Sequence, residues 1–267
     1  MRLPEVKILI ADDSRPIHIF ISDVVSRWSV PAQILTADNG QRCMELLAGG
    51  DIDIAFIDVN MPEMTGMEAL GAARYRGIKT FVTLISAKTS EARLKLARQL
   101  KVYEYLVKPF EAHAIEAILD TFHRVTHPTR ALIVDDSATV RRMIQRILGD
   151  SLFRITADEA ADGPTALRKW FKDGYDIVFL DCNMPGLNGI DTLEQLLAVK
   201  PNARVIMMSG ERNEQRRVFA LERGAVDFLY KPFYPTTVDR TLHKVYELKM
   251  PDLASLDDDL ALAASVA

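Results

Sequence analysis

Short apolar runs alternate with stretches of helical periodicity along most of the chain. Val6–Ala11 reads as a strand buried on both faces. Ser14 then suits an N-cap, and Pro16 falls in the first turn of the helix that follows. Ile17, Phe20, Ile21, Val24 and Val25 recur at helical spacing to about Trp28. The same reading predicts strands near 33–37, 54–57, 79–85 and 103–107, with helices over 40–48, 65–75, 91–99 and 111–124 between and after them. From residue 130 the course repeats, with strands near 130–134, 153–157, 176–180, 203–208 and 226–230 and a last helix over 235–249. Five strands alternating with five helices, twice, predict two parallel sheets covered on both faces.

The repetition extends to single residues. At an offset of 123 positions Asp12-Asp13-Ser14 falls on Asp135-Asp136-Ser137, Asp58 on Asp181 and Ser86 on Ser209. Lys108-Pro109-Phe110 falls on Lys231-Pro232-Phe233 with no net insertion. A period this long is a duplicated domain rather than a solenoid unit. Domains are therefore expected at 1–127 and 128–250, joined by His127-Pro128-Thr129-Arg130, a linker short enough to limit reorientation. Residues 251–267 form an acidic, Ala/Leu-rich tail, read as a frayed end.

Net charge is −4, and Asp252, Asp257, Asp258 and Asp259 of the tail account for it. Such a chain has no general attraction to nucleic acid or anionic membrane. Cys43 and Cys182 lie in different halves with no metal-ligand spacing, so a reducing cytoplasm is the expected home. No signal-peptide pattern opens the sequence, and no run of about 18 apolar residues could span a bilayer.

Each repeat places its acids, a serine and a lysine at the C-terminal ends of strands, where open α/β sheets bind ligands. They are Asp12, Asp13, Asp58, Ser86 and Lys108 in the first repeat, and Asp135, Asp136, Asp181, Ser209 and Lys231 in the second. Three carboxylates in one crevice repel one another, and a hard divalent cation removes that penalty. Mg²⁺, with its oxygen preference and retained waters, suits such a site when phosphate oxygens complete it. Lysine then offers a point charge to a phosphoryl oxygen, and the serine hydroxyl a donor. An Asp beside the cation can act as nucleophile toward phosphorus, giving an aspartyl phosphate. A DD pair alone is most often a turn, and a lone Lys-Pro a strand end; the joint spacing met twice carries the reading.

This constellation resembles the receiver domain of two-component response regulators, over both repeats to about residue 249. The resemblance implies two tandem flavodoxin-like (βα)5 domains, each with a five-stranded parallel sheet in 2-1-3-4-5 order. It implies Asp58 and Asp181 as phospho-acceptors that also ligate Mg²⁺, and Asp13 and Asp136 as direct Mg²⁺ ligands. Asp12 and Asp135 would act largely through bound water, and the carbonyls of Asn60 and Asn183 would complete the coordination. Ser86 and Ser209 match the switch hydroxyls, Tyr105 and Phe228 the switch aromatics. Lys108 and Lys231 precede prolines that follow a cis peptide in the family. The resemblance also implies that water would approach the phosphorylated Asp past Asn60 and Lys88 in the first repeat, and past Asn183 and Glu211 in the second. The first repeat departs in its run Leu100-Lys101-Val102-Tyr103-Glu104, where the second has Arg223-Gly224-Ala225-Val226-Asp227. That difference touches the signalling face rather than the chemistry.

The implied function is a stand-alone double receiver that takes phosphoryl groups from a histidine kinase or histidine phosphotransfer protein. Output would pass through a downstream protein partner or onward transfer, and a homodimer is left open. No separate catalytic output domain is read in the sequence; the enzymatic content would be self-phosphorylation and autodephosphorylation. A receiver scaffold that no longer turns over is the alternative. An Mg²⁺-dependent phosphatase with an Asp nucleophile would carry a second acid where Asn60 and Asn183 stand. Elsewhere, His18 reads as a solvent-facing or partly packed side chain, and Ile19 as apolar surface beside the site. Arg93, Lys95 and Arg98 read as a solvated helix face.

Overall fold

The computed structural model describes residues 5–251; the acidic tail, 252–267, lies outside the described residues. The first repeat runs β1 (Val6–Ala11), α1 (Arg15–Arg27), β2 (Ala32–Ala37), α2 (Gly40–Ala48), β3 (Ile54–Asp58), α3 (Gly66–Tyr75), β4 (Phe81–Ser86), α4 (Glu91–Gln99), β5 (Glu104–Val107) and α5 (Ala112–Thr126). The second runs β6 (Thr129–Val134), α6 (Ala138–Asp150), β7 (Ile155–Ala160), α7 (Gly163–Asp173), β8 (Ile177–Asp181), α8 (Gly189–Val199), β9 (Arg204–Ser209), α9 (Glu214–Glu222), β10 (Asp227–Tyr230) and α10 (Pro235–Val245). Two compact units result, dividing at Phe122/His123. Among the described residues no helix is long and apolar enough to cross a membrane.

Each unit is a parallel sheet between helices. The orders are β2-β1-β3-β4-β5 and β7-β6-β8-β9-β10, the 2-1-3-4-5 arrangement in both. β3 and β8 are wholly buried, as their unbroken apolar sequence requires. Register sets the site. Ala11 lies opposite Ile57, and Val134 opposite Leu180, so the residues that follow leave adjacent strands at one level. Asp12 and Asp58 thereby emerge side by side, as do Asp135 and Asp181.

Three local expectations are corrected. β7 lies at 155–160 rather than 153–157. Phe153, which the apolar pattern placed in the strand, is buried instead between the rings of His243 and Tyr246. The acids that hid the strand are held by partners: Asp158 by Arg130 and Tyr175, and Glu159 by Arg141. Ser14 occupies the N-cap of α1 without a side-chain cap bond, whereas Ser137 caps α6. Pro16 supplies no N–H, and the Ile17 N–H goes to the Ser14 carbonyl, so the Ser14 hydroxyl has no donor to accept from. α10 stops at Val245 rather than near 249; Glu247 takes φ 56°, and the Leu248 N–H closes the end on the His243 carbonyl.

Glycine is required where α3 and α8 begin. A Cβ on Gly66 would stand 2.0 Å from the Asp58 carbonyl oxygen, and one on Gly189 2.1 Å from that of Asp181. The missing side chain lets each helix start directly against the end of the strand that carries the central Asp. Gly66→Ala and Gly189→Ala are therefore expected to cost about 1–3 kcal/mol in urea unfolding, the usual range for overpacking. Gly149→Ala is the control: nothing lies within 4 Å of the added Cβ, and stability should hold or rise by about 0.5–1 kcal/mol.

Candidate functional site

In the first unit, Lys108 reaches back from the end of β5 between two buried carboxylates. Its Nζ lies 2.6 Å from Asp12 Oδ2 and 2.7 Å from Asp58 Oδ1. The other oxygens are also fixed: Asp12 Oδ1 accepts from the Ser14 N–H at 2.9 Å, and Asp58 Oδ2 from the Asn60 N–H at 2.7 Å. The second unit repeats this. Lys231 Nζ stands 2.6 Å from Asp135 Oδ2 and 2.8 Å from Asp181 Oδ1, with Ser137 and Asn183 N–H groups on the remaining oxygens. Both Lys-Pro bonds are cis, and each lysine N–H donates to the carbonyl of Ser86 or Ser209 at 2.8 Å.

Burial raises the pKa of Asp58 and of Asp181 above the ordinary carboxylate value, against the hydrogen bond from the lysine. Burial alone would pull Lys108 and Lys231 down; the two carboxylates on each ammonium outweigh it and hold it above the ordinary lysine value. The lysines stay charged, and each serves as the cation for a pair of acids that would otherwise repel.

Asp13 and Asp136 are exposed at the rim. Asp135, Asp136 and Asp181 each offer an oxygen, all within 4.8 Å of one another, a hard-donor set that fits Mg²⁺. In the first unit Asp12 and Asp13 open onto a cleft also lined by Arg15, His18, Asp38 and Arg42. His18 is half-buried there, its Nε2 2.6 Å from the Asp12 carbonyl oxygen, so Nε2 carries the proton. Arg141 occupies the same place in the second unit, donating to the Asp135 carbonyl while Glu159 holds its Nε at 2.7 Å.

Ser86 and Ser209 are fully buried, and Tyr105 and Phe228 lie inward, 5% and 7% exposed. The Ser86 hydroxyl donates to the Lys88 carbonyl at 2.8 Å, and the Tyr105 hydroxyl reaches the same oxygen at 3.3 Å. The Ser209 hydroxyl accepts from the Glu211 N–H at 3.1 Å. Cys182, next to Asp181, is buried, and that burial pushes its thiol up to about 11, leaving it protonated and unreactive. Beside Lys108, the side chains of Pro16, Ile17, Phe20, Pro109 and Phe110 line an apolar groove, and Ile19 is 62% exposed.

The run read as a solvated face is only partly so: Lys95 is exposed, whereas Arg93 and Arg98 are half-buried. The Arg93 guanidinium reaches Asn60 Oδ1 at 3.3 Å, the Lys88 carbonyl at 3.2 Å and Ser86 Oγ at 3.4 Å. Arg216 does the equivalent, 2.9 Å from Asn183 Oδ1 and 3.1 Å from Glu211 Oε2. The two arginines stand at the same offset as the acids, which was the available signal.

In each unit a buried acid pair bridged by lysine thus stands at the ends of three parallel strands. Residues 8–120 and 131–243 each match the response regulator receiver domain, and the chain belongs to that family. It is similar to the chemotaxis protein CheY of Thermotoga maritima, 38% identical over 116 residues, which are 43% of this chain and 96% of that protein. CheY of Listeria monocytogenes is 41% identical over 115 residues, again 43% and 96%. A protein-glutamate methylesterase/protein-glutamine glutaminase of Caulobacter vibrioides is 46% identical over 105 residues, 39% of this chain and 30% of that one. A solved putative two-component response regulator/GGDEF domain protein shares the fold, with TM-score 0.63 and 24% identity over 91% of this chain and all of that one.

Lys231→Met leaves Asp135 and Asp181 facing one another without their shared cation. Urea unfolding at pH 7 is expected to show a loss of about 3–5 kcal/mol, the cost of removing one partner of a buried ion pair. Millimolar Mg²⁺ should restore part of it, and an unchanged midpoint would contradict the role given to the lysine.

Proposed function

We propose that the protein is a double-receiver response regulator whose domains, 1–127 and 128–250, each accept a phosphoryl group on an aspartate, Asp58 in the first and Asp181 in the second. The observation that carries this reading is the lysine-bridged acid pair, complete in both units. The donor is a phosphohistidine of a kinase or phosphotransfer protein. Its approach to the first unit would use the apolar groove beside Lys108.

In the transfer, a carboxylate oxygen of Asp58 or Asp181 forms a bond to phosphorus as the P–N bond breaks, its electron pair returning to the imidazole. Lys108 or Lys231 moves from bridging two carboxylates to pairing with a phosphoryl oxygen, and Ser86 or Ser209 donates to another. Asp12, Asp13 and Asn60, or Asp135, Asp136 and Asn183, would hold Mg²⁺, which when bound neutralises charge on the acids and the incoming phosphoryl group. Tyr105 and Phe228 lie within the core beside these loops, where a shift of the serine is felt. Output passes to a downstream protein, or onward to another histidine, in the cytoplasm.

The test is labelling by acetyl phosphate or a phosphohistidine donor. Asp58→Asn and Asp181→Asn each remove one acceptor, and the double variant takes up no label; acid-stable labelling of the double variant would overturn the assignment. The two phosphates should also differ in lifetime. Glu211 brings to the Asp181 pocket a carboxylate that can accept from a water, with Oε2 also held by Arg216, whereas the exposed Lys88 ammonium offers no acceptor and attracts phosphoryl oxygens. Asp58 phosphate is expected to outlast Asp181 phosphate by up to about fivefold, as an exposed charge pair allows. Lys88→Glu should shorten it; equal lifetimes, or no effect of Lys88→Glu, would contradict this.

A further inference from the structure

Arg93 and Arg216 stand where a cation is locally unfavourable. Each is the third residue of its helix, α4 or α9, in the first turn, where the helix dipole favours acids. Their backbones are nonetheless anchored by the cap. The Ser90 hydroxyl accepts from the Arg93 N–H, and Asn213 Oδ1 from the Arg216 N–H. Each guanidinium then spans 33 residues back to the asparagine two places after the central Asp. The arrangement is met twice, in helices that otherwise share only Glu91/Glu214 and Ala97/Ala220 at the repeat offset.

The acceptors taken by these arginines are the ones a hydrolytic water would need. In the second unit a single nitrogen, Arg216 Nη1, holds both Asn183 Oδ1 and Glu211 Oε2. In the first, Arg93 Nη2 holds Asn60 Oδ1, while Nη1 is spent on the Lys88 carbonyl and the Ser86 hydroxyl. We infer that Arg93 and Arg216 are positioning residues that prolong the aspartyl phosphate by occupying the water-orienting oxygens at the mouth of each acceptor pocket. The inference rests on the acceptor roles proposed for Asp58 and Asp181.

The step restrained is hydrolysis. A water oxygen bonds to phosphorus, the P–O bond to the Asp carboxylate breaks with its electron pair returning to the carboxylate, and inorganic phosphate leaves with the water's oxygen. The surplus proton passes to solvent. An oxygen that accepts a hydrogen bond from that water helps place it in line. The guanidinium competes with that water for Asn183 Oδ1 and for Glu211 Oε2, one of the two oxygens of the carboxylate. Freeing them should matter more in the second unit, where one acceptor is a carboxylate, than in the first, where only an amide oxygen is released.

The experiment uses the full chain with Asp58→Asn, so that label resides on Asp181, pulsed with acetyl phosphate and Mg²⁺ and freed of donor by desalting. Arg216→Met is expected to speed loss of label about two- to fivefold, in keeping with one partly exposed charged contact. Arg216→Lys, which keeps the charge without the fork, should fall between. In a Glu211→Lys background the effect of Arg216→Met should drop below about twofold. A role confined to holding the loop would act whatever stands at 211. In the companion Asp181→Asn protein, Arg93→Met should speed loss from Asp58 less than Arg216→Met speeds loss from Asp181. Normal labelling with unchanged or slower decay, or an acceleration that persists undiminished with Glu211→Lys, overturns the inference alone. Absence of Asp181-dependent label overturns it together with the acceptor assignment.

Discussion

Two carboxylates buried at the ends of adjacent strands repel each other unless a cation stands between them, and this constraint organises both units. Asp12 and Asp58 are 1% and 4% exposed, Asp135 and Asp181 0% and 3%. Burying such groups unpaired would be prohibitive. Lysine answers the constraint from β5 or β10, tying the first, third and fifth strands of the repeat at one point. That same point is where a phosphoryl group would need positive charge. The ion pair that holds the pocket together is thus made of the groups that chemistry would redeploy: a phosphoryl oxygen would take the place of a carboxylate on the lysine, and the displaced carboxylate would then need a second cation such as Mg²⁺.

Much of this was legible in the sequence because parallel sheets have little freedom. An apolar run followed by Asp can place its acid only at the strand end, and a fixed offset repeated the pattern. The acids, the serines and the lysines could be located from Asp12, Asp58, Ser86 and Lys108 alone. What was not legible depended on side-chain reach. Arg93 in a run with Lys95 and Arg98 looks like any solvated face, because helical periodicity gives direction around an axis and says nothing about a guanidinium extending past the helix end. The misplacement of β7 had a different cause. Asp158 and Glu159 suppress a strand reading, and only the structure shows that Arg130, Tyr175 and Arg141 supply their partners.

The two units also separate what a scaffold demands from what it leaves open. The lysine–acid distances are 2.6 Å in both repeats for the first-strand acid and 2.7 and 2.8 Å for the central one. The glycines that begin α3 and α8 approach the central Asp carbonyl to 2.0 and 2.1 Å when a Cβ is added, so neither tolerates a side chain. These are packing and charge constraints with almost no slack, and both copies satisfy them alike.

The rim is less constrained: Asp13, Asn60 and Arg93 recur as Asp136, Asn183 and Arg216, but other rim positions diverge. His18 and Arg141 both donate to the carbonyl of the first-strand acid, yet only Arg141 brings a fixed charge and a carboxylate partner in Glu159. Lys88 stands where the second copy has Glu211, a reversal of charge at the pocket mouth over an unchanged backbone course. Each rim residue is solvent-facing or half-buried, so changing it disturbs little of the core while altering the field and the donors around an acceptor. The strand ends fix the lysine-bridged acids; the loops above them are freer to differ in charge and in hydrogen-bonding groups. Two units built alike around the lysine-bridged acids therefore carry different charges and hydrogen-bond donors at their rims, a difference the shared scaffold neither requires nor forbids.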